Sequence, residues 1–215
     1  MSKIKKGKFI IIEGGDGARK TTQANLLKKA FENKGHKVCY THEPGGTKTG
    51  EAIRKILKGN FTLNPLSELF LFSAARTLWI EKIVKPAIKK GKIVISDRSF
   101  PSTFAYQGYA GKIKIKDIEQ INKMALTDIK PDLIIILDID YQTLIKRQKK
   151  RGKQDRFEKR GKIFHNNVLK GYRNFSKNEK TAILINGRNT IEEIHKKIIN
   201  IVNEKLHFNL KEEKF

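Results

Sequence analysis

The chain has 215 residues, enough for one domain with a sizeable core, and its longest apolar runs are strand-length, which excludes a bilayer-spanning helix. Its 46 basic against 22 acidic side chains leave a formal net charge of +24, a field that attracts anionic nucleotides. The positive charge is spread along the whole chain as Lys rather than gathered as Arg on one segment, so a specific nucleic-acid surface is not expected. Cys39 is the only cysteine, which rules out internal disulfides; with no secretory apolar segment near Met1, a cytoplasmic location is expected.

In chain order, continuous apolar runs at 9–12, 37–40, 93–95, 133–138 and 182–185 read as strands buried on both faces. Helical patterns over about 20–33, 49–58, 66–89, 102–107, 117–128, 141–150, 160–175 and 190–205 alternate with them. This predicts an α/β fold of three layers, α/β/α, around a five-stranded parallel sheet. Residues 111–116 and 151–160 read as mobile loops, and both ends, 1–6 and 210–215, as frayed. Pro86 is expected to bend or shorten the third helix near its end.

The first strand leads into Gly14-Gly15-Asp16-Gly17-Ala18-Arg19-Lys20-Thr21-Thr22. A buried strand, a glycine turn and Lys-Thr at a helix start form a phosphate cradle, in which inward amides and the helix N-terminus favour anions. Lys20 would reach the outer phosphates and the Thr21 hydroxyl would hold Mg²⁺. Arg19 stands where the pattern G-x-x-x-x-G-K-[ST] has glycine, a position of unusual backbone angles. An arginine there costs about 1–3 kcal/mol in strain and must turn its side chain out of the cradle. Arg19→Gly is therefore expected to tighten ATP binding or raise turnover.

After the second strand, His42-Glu43-Pro44-Gly45-Gly46-Thr47 is either a plain turn or a site loop, with Arg54 following. Phe72 and Arg76 lie one turn apart on one helix face, a pattern that a core Phe and a surface Arg would also produce. After the third strand, Asp97-Arg98 offers a helix cap, or a metal-site carboxylate beside a bidentate phosphate clamp. Asp97 beside Thr21 is the expected metal pair. The basic loop Arg151-Gly152-Lys153-Gln154-Asp155-Arg156-Phe157-Glu158 is a solvated charge run or a lid over nucleotide phosphates, at about 150–160.

Taken together, Glu13-Gly14…Lys20-Thr21-Thr22, Glu43-Pro44-Gly45-Gly46-Thr47, Phe72-Ser73-Ala74-Ala75-Arg76, Asp97-Arg98…Ser102…Ala105-Tyr106-Gln107-Gly108, Pro131-Asp132-Leu133 and Asp155-Arg156…Glu158 resemble the bacterial type of thymidylate kinase, over about residues 8 to 205. The resemblance implies a single nucleoside monophosphate kinase domain that moves the γ-phosphoryl of MgATP to dTMP, giving dTDP and ADP, as a homodimer through the long third helix. It implies that Phe72 stacks on thymine, and that Arg76 and Gln107 bind its polar edge. Tyr106 would sit against the sugar, with Glu43, Pro44, Ser102 and Thr103 around the acceptor. Arg54 and Arg98 would hold the acceptor phosphate, with Asp16 near the sugar 3′-hydroxyl or the metal's water. Lys20, Arg151, Lys153 and Arg156 would neutralise the migrating group. Ser99 and His42 depart from the family pattern, which has an aromatic or His and an Arg there. Two alternatives stay open: a kinase of another nucleoside monophosphate or a deoxynucleoside, and a nucleotide-binding homologue impaired by Arg19.

Overall fold

The computed structural model describes residues 7–152 and 154–212, with the Arg151 side chain outside the description. The expected fraying of 1–6 and the Lys153 assignment fall outside it too. Five parallel strands, β1 (Lys8–Gly14), β2 (Val38–His42), β3 (Ile93–Asp97), β4 (Leu133–Asp138) and β5 (Ala182–Asn186), lie in the order β2-β3-β1-β4-β5. The chain steps outward to β2, returns to β3, then passes to the other side of β1. That reversal at the central strand opens a crevice above the carboxyl ends. Ile12 and His42 both register with Asp97, and Gly14 with Leu137, so the loops after β1, β2 and β3 leave from one rim.

Successive residues of β1 feed two cores. Phe9 and Ile11 pack with Trp79, Ile118 and Tyr172 on one face, while Ile10 and Ile12 pack with Leu27, Phe31 and Ile198 on the other. The first face is covered by α3 (Pro65–Trp79), α6 (Ile115–Leu126) and α8 (Lys162–Asn178); the second by α1 (Lys20–Glu32), α7 (Tyr141–Arg151) and α9 (Ile191–Leu206). α2 (Lys48–Lys58), capped by Thr47, lies against α3. The result is the α/β/α architecture expected.

Two helices differ from their sequence pattern in a way that shapes the site. The stretch expected as one helix over 66–89 widens into a π turn at Ile80–Val84 before α4 (Lys85–Lys89). Pro86 cannot donate to the carbonyl four residues back and its ring crowds it; the wider turn absorbs both without ending the helix. The stretch expected at 102–107 is α5 (Pro101–Thr103) followed by a π segment, Phe104–Ala110. It lies close to α8, where a Cβ on Gly171 would sit 2.8 Å from the Ala105 Cα. The C-terminal end is less frayed than expected: Leu210 is buried, and Asn203 both accepts its N–H at 2.8 Å and donates to its carbonyl at 3.0 Å. The loop at 111–116 is shorter than expected, because α6 begins at Ile115.

Candidate active site

The phosphate loop takes its shape from close backbone contacts. Gly14 has φ +138°, and a Cβ there would lie 2.5 Å from the Leu137 carbonyl, so only glycine lets β1 turn beside β4. Arg19 adopts the left-handed conformation, φ 68° and ψ 27°, immediately before α1. The turn thus closes with arginine in glycine's place. As expected, the side chain leaves the cradle: Nη1 donates to the Asn189 carbonyl at 3.1 Å. Arg147 braces the same loop, donating to the carbonyls of Gly17 (3.1 Å) and Gly187 (3.0 Å). The left-handed strain belongs to the folded loop whether or not nucleotide is present, so its removal should appear in stability. Arg19→Gly is expected to be more stable than Arg19→Ala by about 1–2 kcal/mol in urea unfolding.

Lys20 is buried and donates to the Gly15 carbonyl at 2.9 Å. Burial and the neighbouring Arg98 charge lower its ammonium to about 8, against the upward pull of Asp16, Asp97 and Glu13. The Thr21 hydroxyl donates to Asp97, which brings the expected metal pair into contact across the rim.

Arg98, at φ 72°, is the hub of the site. Its Nη1 donates to the Gly14 carbonyl (3.1 Å), Ser102 (3.2 Å) and Tyr172 (2.9 Å), and its Nη2 to Asp16 and to Tyr106 (3.3 Å). Asp16 also accepts from the Tyr106 hydroxyl at 2.7 Å. Burial pushes the Asp16 carboxyl up, but Arg98 and Lys20 outweigh it and bring it down to about 2. Beneath lies Glu13, fully buried, accepting from the Ser99 N–H (2.7 Å), Ser102 (2.9 Å) and Tyr172 (2.9 Å). Burial pushes its carboxyl up, opposed first by Arg98.

On the β2 side, Arg76 is 1% exposed. The surface-arginine alternative is therefore wrong. Its Nε donates to Glu43 at 2.8 Å and its Nη1 to Asn122 at 2.6 Å, and Glu43 also accepts from Ser99 at 2.7 Å. Burial drives the Glu43 carboxyl up, and Arg76 and Ser99 oppose it. Thr103 bonds to Asn122, and Arg54 is tied to the Pro44 carbonyl at 2.7 Å. His42 contacts Glu51 at 3.0 Å, which also accepts from the Gly46 N–H, so the Pro-Gly-Gly loop is anchored rather than a free turn.

These groups border one cleft of about 660 Å³. It is lined by Phe72, Arg76 and Gln107, by Arg98 and Lys20, and by Arg19, Thr22 and Arg147. Every described residue assigned from the sequence lines it except Gly14, Gly15 and Ala18, which are buried under the loop, and Arg156. Arg156 was expected to face the migrating phosphoryl group. Instead its Nη1 pairs with Glu68 of α3 at 2.9 Å and its Nε donates to the Leu57 carbonyl at 3.1 Å. Glu68 is buried, so its attraction for the guanidinium is little screened. Asp155 pairs with Lys58 at 2.9 Å, and the Phe157 ring packs 6.1 Å from that of Phe72. The segment is thus docked beside Phe72 at the cleft. Glu13, Glu68, Asn122 and Tyr172 were missed; an ionisable side chain ending an otherwise apolar strand was the one available signal, at Glu13.

A parallel sheet with a glycine turn, Lys-Thr and a rim Asp above its central strand defines a P-loop phosphotransferase of the α/β/α class. The comparisons go further: the family model described as thymidylate kinase matches residues 12–198. A thymidylate kinase of Thermoanaerobacter sp. (strain X514) is 39% identical over 94% of this chain and 100% of its own length. One from Mycoplasma genitalium is 42% identical over 90% and 93%. The crystal structure of thymidylate kinase from Ehrlichia chaffeensis superposes with a TM-score of 0.74 at 33% identity, over 91% of this chain and 98% of that one. This chain belongs to the thymidylate kinase family.

Proposed function

We propose that the protein transfers the γ-phosphoryl group of ATP to dTMP, giving dTDP and ADP in dTTP synthesis. The observation that supports the reading is that Lys20 and Thr21 of the phosphate loop line the same cleft as an aromatic ring, Phe72, and two polar side chains, Arg76 and Gln107. Lys20 and the loop amides hold the donor's phosphates. Arg54 and Arg98 hold the acceptor's phosphate, and Asp16, fixed by Arg98 and Tyr106, sits at the sugar or at metal-bound water. Phosphoryl transfer needs alignment and charge compensation more than a strong base, which suits a cation-rich site. No observation favours another acceptor. A coupled ADP-release assay across dTMP, dUMP, dGMP, AMP and thymidine should rank dTMP first; another best acceptor would overturn the assignment.

Mg²⁺ fits the residues present. Among the described residues there is no cluster of three or more His, Cys, Asp or Glu side chains that could form a protein cage. The Thr21 hydroxyl and Asp97 carboxylate are hard oxygen donors in contact, the sparse set that suits an ion sharing its shell with phosphates and water. When bound, the ion supplies charge compensation to the phosphate oxygens.

The chain works as a single domain in which residues at about 150–160 act as a lid, with Arg151 and Lys153 as cations that neutralise the migrating phosphoryl group. The lone, unpaired Cys39 suits a cytoplasmic enzyme. It works as a homodimer: α3 carries Leu66 (49% exposed) and Phe70 (55%) one turn apart, and Phe61 (57%) and Met124 (77%) are exposed as well. Phe70→Asp is expected to convert the dimer to a monomer in light scattering, and an unchanged mass would count against this face.

A further inference from the structure

Glu68 belongs to none of the groups assigned above to the donor, acceptor or metal, yet it is a carboxylate buried to 1% exposure between Gln107 and Arg156. One oxygen accepts from Gln107 Nε2 at 2.9 Å; the other pairs with Arg156 Nη1 of the lid at 2.9 Å. We propose that Glu68 is the positioning residue that sets the acceptor-base preference, by fixing which end of the Gln107 amide faces the cleft. The proposal rests on the reading of dTMP as acceptor.

A side-chain amide has a donor end and an acceptor end of nearly the same shape, and an ionised carboxylate only accepts. Beside Glu68, Gln107 must therefore present Nε2 to the carboxylate and keep its carbonyl oxygen for the cleft it lines. Arg76, the other base-reader, has only donors, two of which are held by Glu43 and Asn122. The wall thus shows a donor beside an acceptor. Thymine matches that order with its O4 acceptor and N3–H donor; cytosine, with an N4 amino donor beside an N3 acceptor, opposes it at both positions. Arg156 pairs with the Glu68 carboxylate when the lid is docked, so lid position and base readout share one anion. Phe157, next in the chain, packs on both Phe72 and Tyr106, which ties the same segment to the acceptor pocket.

The test is the ratio of kcat/KM for dTMP to that for dCMP. In Glu68→Gln the new amide offers its oxygen to Arg156 and its Nε2 to Gln107, which then flips and points a donor at the base. The ratio is expected to fall at least about tenfold, while the KM for ATP stays within about twofold, a split that a general loss of structure does not produce. In the swap Glu68→Gln/Gln107→Glu, the amide introduced at position 68 donates to the new carboxylate, whose second oxygen again accepts from N3–H, and the ratio recovers. An unchanged ratio in Glu68→Gln, or no recovery in a swap variant that still binds ATP, overturns the proposal. A wild-type chain whose best acceptor is not dTMP overturns the functional reading instead, and with it the premise of this one.

Discussion

Replacing Arg98 with methionine is expected to lower dTMP-dependent ADP formation by on the order of 10³-fold or more, and to cost about 3–5 kcal/mol in urea unfolding. Both losses have one cause. Arg98 is the cation between Glu13 and Asp16, and its fork bonds five partners from β1, the phosphate loop, α5, the π segment and α8. Methionine fills the space and supplies none of those donors. The Glu13 and Asp16 carboxylates then face each other's field with only Lys20 left to offset it. Lysine is expected to rescue little, because one ammonium cannot reach the Gly14 carbonyl, Asp16 and Tyr172 at once.

The pH dependence separates this from a plain packing defect. In the wild type the Asp16 carboxyl sits at about 2, below its ordinary 3.8. Its contribution is fully present above pH 3.8 and is lost as pH falls through 2. Without Arg98, burial pushes the Asp16 carboxyl up and the Glu13 carboxyl, already raised by burial in the wild type, further up. Protonation then relieves the variant, so the stability gap to wild type should narrow as pH falls from neutrality towards the ordinary carboxylate range. A gap independent of pH, or a variant keeping a tenth of wild-type turnover, would contradict the role given to Arg98.

What the sequence made legible is what lies on contiguous segments. The apolar runs named all five strands because strands covered on both faces carry no polar alternation to confuse them. The phosphate loop was readable because its chemistry occupies nine consecutive residues. Arg19 could be foreseen as strained, since its position in the turn dictates φ, but its bond to Asn189 joins residues 170 apart. Tyr172 reaches Arg98 from α8 across 74 residues, and nothing local to a tyrosine on an amphipathic helix marks it. The π segments were invisible because periodicity counts residues, not turns, and one extra residue per turn falls within boundary error. Arg156 was misplaced for a different reason. Its charge was legible, but which anion it meets depends on Glu68, whose burial only the packed fold determines.

Lys20→Met should show activity and stability moving apart. Turnover is expected to fall on the order of 10³-fold, since the ammonium is the cation proposed to neutralise the donor's outer phosphates. Stability should hold or rise. Lys20 is held at about 8 against an ordinary 10.5, so the folded state binds its proton more weakly than the unfolded chain does. Below about pH 8 that difference costs on the order of 3 kcal/mol, and it is recovered as pH rises from 8 toward 10.5. Methionine keeps the stem's packing and removes the charge, so the wild-type advantage on raising pH disappears in the variant. The same titration predicts that kcat/KM for ATP in the wild type falls about tenfold per unit above about pH 8. A bound triphosphate opposes deprotonation, so the kcat profile should hold to higher pH. A Lys20→Met protein that loses several kcal/mol, or a kcat/KM flat to about pH 10, would show that the phosphate loop does not hold an ammonium under strain.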